Sequence, residues 1–387
     1  MRVLIIHNRY QKMGGEDTVF EQESELLSLT EEVKTLTFHN LPGWRGAIQF
    51  FFSIWNIYWV AKIKQAIREF KPQVIHLHNW HYAIGPLIVR TANKREIPIV
   101  LTVHNYRLLC PSGILLYKKS LFLDSIHASF PWKAVRKKVY RGSLIQTFWL
   151  AFIIWFHKKI GTWKSIDRII LLTEMAKDIF ISSSLGTTQS QLSVKPNFIK
   201  DPDIKMRERK DFFLYIGRLS EEKGIDVLLE AFRDLEKELY IGGDGPLKKK
   251  VIDACAKNHK MHYLGRLDKH AVQEIMSQCS ALVFPSIWYE GMPLTLIEAF
   301  AVGTPVIASN IGAMSSMIKG GYNGIHFAAG DPADLSEKIV YWGNLSKNDK
   351  QQFSQNARSC FEDIYTPEKN KEQILSIYES VNNKSRQ

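Results

Sequence analysis

Residues 281–309 read ALVFPSIWYEGMPLTLIEAFAVGTPVIAS. The stretch opens with four apolar residues of strand length, 281–284, and closes on a second apolar run at 306–308. Between them lie a loop carrying Glu290, Gly291 and Met292, then Pro293, then a helical pattern over 294–302 that stops at Gly303, a usual left-handed end. Pro293 is expected at the first helical position, where its missing N–H costs nothing. Strand, loop, helix and strand make one α/β unit. It holds two carboxylates, Glu290 on the loop and Glu298 inside the helix.

From Pro293 to Glu298 a helix rises roughly 7.5 Å, so the carboxylates are expected on either side of the helix N-terminus. The paired carboxylates of a retaining glycosidase stand only about 5–5.5 Å apart. The wider layout suits a long ligand with an anion at the positive helix end and hydroxyl-bearing groups on both sides, as in a nucleotide sugar. A solvated Glu290 and a surface Glu298 are the other reading this stretch leaves open.

Outward from it, strand-length runs recur at 2–8, 33–37, 74–77, 97–103, 168–172 and 193–195, and again at 212–216, 238–241, 262–264 and 325–328. Helical patterns fall between them, at 16–29, 225–233 and 332–342, with a last one at 367–381 striped by Ile374, Ile377 and Val381. This alternation predicts an α/β protein of two doubly wound parallel sheets. The 387 residues, 45% of them hydrophobic, suffice for two cores. The expected domains are 1–197, with the C-terminal helix of 367–387 packing back on it, and 204–363.

In such sheets ligands bind beyond the carboxyl ends of the strands. The residues there are Gly14-Gly15, His78-Asn79, His104-Asn105, Gly217-Arg218, the glycine turn 242–246 and Gly265-Arg266. Arg218 and Lys223 precede a helix and make an anion site. Gly14 and Gly15 fit either a phosphate approach or an ordinary tight turn. His78 and His104 read either as ligand contacts or as structural hydrogen-bonders, and His76, on the same strand face as His78, reads as structural. Asp201-Pro202-Asp203 has an Asp-x-Asp spacing, but it lies in a proline-containing linker, so no metal site is assigned there.

Lys and Arg exceed Asp and Glu by 26 to 13 in residues 1–197, while the remainder is nearly neutral at 25 to 26. Residues 41–70 carry Trp44, Phe50, Phe51, Phe52, Trp55, Tyr58 and Trp59, and 144–156 is an apolar run flanked by basic residues. Both are too short or too interrupted to span a bilayer. They read either as surfaces resting on an anionic membrane or as core. Four scattered cysteines without metal spacing, and a start that runs directly from Met1-Arg2 into a strand, predict a cytoplasmic protein with reduced thiols.

Four motifs occur in order in the second half: GRLSEEKGIDVLLEAF (217–232), GGDGP (242–246), LGRL (264–267) and EGMPLTLIEAFAVGTPVIAS (290–309). Together they resemble the retaining GT-B glycosyltransferases of family 4, whose two Rossmann-like domains face a cleft. GGE at 14–16, HNYRLLCPSG at 104–113 and VKPNF at 194–198 are similar to the subgroup that builds capsule, exopolysaccharide and O-antigen chains. The cysteine pair that often follows the CP-x-G turn in that subgroup is absent from 119–127.

The resemblance implies transfer of a sugar from a UDP- or GDP-linked donor to a growing glycan, with retention of configuration, and the basic, aromatic N-terminal half favours a lipid-linked acceptor over a soluble one. Glu290 and the loop Gly291, Met292, Pro293 and Leu294 would hold the sugar and distal phosphate. Glu298 would bind the ribose. Arg218 and Lys223 would neutralise the diphosphate in place of a metal. Gly14 and Gly15 would approach the phosphate, His104 would touch the sugar, and Arg266 would pack near the base. No cofactor or metal is implied; the partners are the nucleotide sugar, the lipid-linked acceptor and an anionic membrane, on whose inner face the protein would sit. No second carboxylate is evident beside His104, which favours front-face attack by the acceptor, the leaving phosphate acting as base.

Three other functions fit the composition less well. A nicotinamide dehydrogenase needs G-x-G-x-x-G after a strand, which RYQKMGGED lacks. A nucleic-acid-binding protein needs a recognition module, and none is readable. A non-catalytic sugar- or nucleotide-binding two-lobed protein leaves the Arg218/Lys223 anion site unexplained.

Overall fold

The computed structural model describes residues 1–387 except 12, 13, 203, 205, 206 and 385–387. Asp203 of the Asp-x-Asp spacing therefore lies outside the described residues. The chain divides into two units. The first comprises Met1–Tyr117, Phe122–Asn197 and Pro367–Gln387, and the second Lys118–Leu121 and Phe198–Thr366.

The first unit is built on β1 (Arg2–Arg9), β2 (Glu32–His39), β3 (Val74–Asn79), β4 (Ile99–Thr102), β7 (Arg168–Leu171) and β8 (Leu192–Val194); the two-residue strand β5 (Leu116–Tyr117) also lies in it, and β6 (Ser120–Leu121) in the second. The six-stranded sheet runs β2-β1-β3-β4-β7-β8, and every pairing is parallel. β3 and β4 are wholly buried, as strands covered by helices on both faces must be. The helix Pro367–Lys384 returns to this sheet. Its Ile374, Ile377, Tyr378 and Val381 are buried in one core with Val3, Ile5, Val74, Val100 and Ile170.

The second unit uses β9 (Phe212–Ile216), β10 (Glu238–Gly242), β11 (Met261–Gly265), β12 (Ala281–Phe284), β13 (Val306–Ser309) and β14 (Gly324–Phe327) in the order β11-β10-β9-β12-β13-β14, again all parallel. In both sheets the chain starts in the middle, builds to one edge and then to the other. The order reverses between β1 and β3 in one and between β9 and β12 in the other, and these are the switch points where such sheets take ligands.

The helix after β12 spans Leu294–Ala301, with Pro293 as its N-cap at ψ 119°. Pro293 therefore stands one residue outside the expected first helical position, its extended backbone turning the loop into the helix. An 18-residue helix, Lys347–Ile364, was not expected. No helix among the described residues is long and apolar enough to cross a membrane.

Candidate functional site

In the second unit two loops meet at the switch point. After β9, Tyr215 donates its hydroxyl hydrogen to the Arg218 carbonyl at 2.9 Å, and a single turn, Glu221–Lys223, ends at Gly224. Gly224 has φ +73°, and a Cβ there would fall 1.8 Å from the Pro285 carbonyl oxygen; only glycine lets the turn press against the loop after β12. That loop is stitched to it: Ile287 N donates to the Glu222 carbonyl at 3.0 Å. Gly243, at φ +143°, is likewise crowded by the Gly217 carbonyl oxygen at 1.8 Å. The GGDGP turn is thus glycine-rich because backbone packs on backbone.

The stitching brings Lys223 onto Glu290. Lys223 Nζ donates to Glu290 Oε1 at 2.6 Å, and Ser286 Oγ donates to the same oxygen at 2.6 Å. Glu290 is only 6% exposed, which overturns the solvated reading of it. Lys223 also lies 5.7 Å from the Phe284 ring centre and 5.5 Å from that of Trp288. An ammonium has three N–H donors, and Glu290 takes one. The Trp288 Nε1 hydrogen is buried without a hydrogen-bond partner among the described residues.

Met292 is buried, whereas Gly291, Pro293 and Leu294 are half-buried. Glu298 is half-buried, and burial raises its carboxyl above the usual range against a weaker opposing pull from Lys269. Arg218 is exposed, its side chain in no ion pair or hydrogen bond among the described residues. Arg266 is exposed at the end of edge strand β11, two strands from β9 and so roughly 10 Å away. The structure therefore joins Lys223 to Glu290 directly, and it places Arg218, Glu298 and Arg266 around that end of the sheet without joining them to the pair.

In the first unit Gly14 caps the helix Gly15–Ser28 and donates its N–H to Asp17 Oδ2 at 2.7 Å. A Cβ at Gly15 would meet nothing within 4 Å, so packing within the protein does not demand that glycine. Beyond β4, His104 Nε2 lies 3.2 Å from His78 Nδ1. Burial, with His78 next, holds the His104 imidazole well below its ordinary pKa. Behind them is a group the sequence reading missed. Glu23 is fully buried, its Oε2 accepts from Lys195 Nζ at 2.6 Å, and its Oε1 lies 3.3 Å from His76 Nδ1 and 3.4 Å from His78 Nε2. His76 is fixed between the Tyr378 hydroxyl and Thr102 Oγ1, both at 2.7 Å.

A carboxylate does therefore stand behind the histidines, against expectation. Fully buried and ion-paired, Glu23 is not placed as a nucleophile. The signals for it were slight: Glu23 lies on the helix after Gly14-Gly15, and Lys195 in the VKPNF motif. Among the described residues Glu23, His76 and His78 alone form a cluster of metal-ligating types. Lys195 already supplies the positive charge there, so the donor set does not fit a resident metal.

Two Rossmann-like units in one chain, each a six-stranded parallel sheet with polar loops at its switch point, are the GT-B architecture of glycosyltransferases. The chain belongs to the family 4, group 1 glycosyltransferases: the glycosyltransferase family 4 model matches residues 2–201 and the glycosyl transferases group 1 model residues 197–359. It is 31% identical over 317 residues to an uncharacterized glycosyltransferase of Methanocaldococcus jannaschii, covering 80% of this chain and 75% of that one. To the alpha-monoglucosyldiacylglycerol synthase of Acholeplasma laidlawii it is 24% identical over 330 residues, covering 80% and 77%. HepE from Anabaena, solved in complex with UDP, superposes with a TM-score of 0.71 at 16% identity, covering 98% of this chain and 100% of that one.

Proposed function

We propose that this glycosyltransferase takes its sugar from a UDP- or GDP-linked donor and adds it, with retention, to a growing lipid-linked glycan. The observation that carries the reading is the Lys223–Glu290 pair at the switch point of the second sheet. In it Glu290 accepts hydroxyls of the sugar, and the two remaining N–H donors of Lys223 turn to the diphosphate. Arg218 adds a second cation, the first-turn amides from Leu294 onward face the distal phosphate, and Glu298 accepts from the ribose. The unpartnered Trp288 N–H offers one more donor to a polar ligand. Arg266 stands toward the base. In the first unit the open side of Gly15 leaves room for a phosphate, and His104 meets a sugar hydroxyl.

In the transfer the bond from the anomeric carbon to the phosphate oxygen breaks, its electron pair staying with the diphosphate. The acceptor hydroxyl bonds to the same face of the carbon, and its proton passes to the departing phosphate oxygen. Fixed cations aimed at that developing charge do what a metal does elsewhere. The donor reading draws support from HepE, also described with UDP-glucose. Screening UDP- and GDP-sugars for turnover tests it: consumption of none by the wild-type protein would sink it. EDTA is expected to leave the rate unchanged, and loss restored by Mg²⁺ would show that Arg218 and Lys223 do not suffice.

The acceptor reading rests on the first unit's surface. The helices Gly43–Phe52 and Ile57–Phe70 bury one side and expose Trp44, Phe51, Phe52, Ile57 and Tyr58 among Arg45, Lys62 and Arg68. The helix Leu144–Lys159 does the same with Leu144 and Ile145. The helices Ile57–Phe70 and Leu144–Lys159 bury apolar residues on their inward sides, and the outward sides of all three suit an anionic membrane. The A. laidlawii relative is named for a diacylglycerol product. Trp44→Asp and Ile145→Asp are expected to cut sedimentation with phosphatidylglycerol vesicles at least about tenfold while leaving the melting temperature nearly unchanged, since exposed substitutions cost little stability. Unchanged sedimentation would count against this surface.

A further inference from the structure

The buried group behind His104 has a polarity that can be read atom by atom. Lys195 Nζ, a pure donor, occupies Glu23 Oε2. Among the described residues the other oxygen, Oε1, has no hydrogen-bond partner, nor has His78 Nε2, and the two lie 3.4 Å apart. An ionised carboxylate only accepts, so the proton of His78 belongs on Nε2. In the neutral imidazole His78 Nδ1 is then a bare acceptor, and it lies 3.2 Å from His104 Nε2. That contact puts the proton of His104 on Nε2 and leaves its Nδ1 unprotonated.

We propose that Glu23, acting through His78, holds His104 in the Nε2–H tautomer, so that His104 Nδ1 is an obligate hydrogen-bond acceptor for a hydroxyl of the sugar substrate. Glu23 and His78 are positioning residues: neither touches substrate, and each sets the proton of the next group. His76 Nδ1 also stands 3.3 Å from Glu23 Oε1, but its hydrogen bonds go elsewhere. His76 is engaged on both nitrogens by Tyr378 and Thr102, and His7 Nε2 lies 3.0 Å from Asp17 Oδ1. Burial keeps His104 neutral near pH 7, where tautomer choice matters. The proposal rests on reading His104 as a substrate contact.

The charge of Lys195 gives the test its direction. In Glu23→Gln the lysine claims the amide oxygen, so the amide N–H₂ faces His78. His78 Nε2 becomes an acceptor, its proton moves to Nδ1, and His104 must accept on Nε2 and carry its own proton on Nδ1. One amide thus inverts the whole relay with almost no change in shape. Nitrogen-15 NMR of histidine-labelled full-length protein reads the tautomers, with His104 assigned by its loss in His104→Gln.

The expected results are an Nε2–H His104 in the wild type and an Nδ1–H His104 in Glu23→Gln. The variant's kcat on UDP- or GDP-sugars should fall about tenfold or more, with a smaller change in KM. An Nδ1–H His104 in the wild type overturns the proposal, and that spectrum needs no variant to fold. A His104 tautomer unchanged in a folded Glu23→Gln also overturns it, as does an inverted tautomer with wild-type kcat. Absence of turnover by the wild type counts against the donor reading instead, and the tautomer spectra still decide the relay.

Discussion

Sugar transfer by the Lys223→Ala variant is expected to fall by at least about tenfold and by as much as about a thousandfold, equivalent to roughly 1.4–4 kcal/mol of transition-state stabilisation. Two losses combine. On the proposed reading the diphosphate loses a cation where negative charge grows as the sugar leaves. Glu290, nearly buried, loses its charged partner and keeps the Ser286 hydroxyl. The first loss acts on the transition state and lowers kcat. On the proposed reading Glu298→Ala removes contacts to the ribose that are the same before and during transfer, so its effect should appear chiefly in KM. Steady-state kinetics on the accepted donor separates the two, and wild-type values in both variants would refute the site.

The second large effect concerns stability. Lys195→Met leaves the Glu23 carboxylate buried without its cation, and breaking one side of a buried pair costs about 3–5 kcal/mol. At about 2–4 °C per kcal/mol for a unit of this size, the melting temperature should drop by roughly 10 °C. Burial raises the Glu23 carboxyl, but Lys195 and then His78 outweigh it and hold the group well below its usual range. A depressed carboxyl stabilises the fold above its unfolded pKa and loses that only as pH falls through the folded value.

The histidines respond earlier on the way down. Burial lowers His7 and His157 to about 4, opposed by Asp17 in one and the Ile54 carbonyl in the other. The unfolded chain therefore binds more protons between about pH 6.5 and 4, so stability is full above 6.5 and falls with pH through that window. His157 alone accounts for up to about 3 kcal/mol. Thermal melts at pH 7, 5.5 and 4.5 check this; a melting temperature flat across them would contradict it.

The sheets were legible because parallel strands buried on both faces read as unbroken apolar runs, 281–284 and 306–308 among them. The helix Lys347–Ile364 was not, because it buries little beyond Phe353, Ala357, Cys360 and Phe361 and reads as polar. Glu290, Glu298, Lys223 and Arg218 were identifiable as site candidates from strand ends and motifs. That Lys223 bonds Glu290 was not, since the two are 67 positions apart and meet only when Gly224 packs on the β12 loop. Glu23 and Lys195, 172 positions apart, had still less to mark them. On a helix and after a short strand, each looked like an ordinary surface charge until the fold buried both.

The return of Pro367–Lys384 to the first sheet has a consequence for how the protein is made. Val3, Ile5, Val74 and Val100 leave the ribosome early, yet Ile374 and Tyr378, which close over them, come after the whole second unit. The first unit must wait, part of its core open to water, while about 170 residues of the second are synthesised at roughly 5–20 residues per second. For that interval, on the order of ten to thirty seconds, the nascent chain presents an apolar face to chaperones. It is the last helix, and His76 meeting Tyr378 beneath it, that ends the wait.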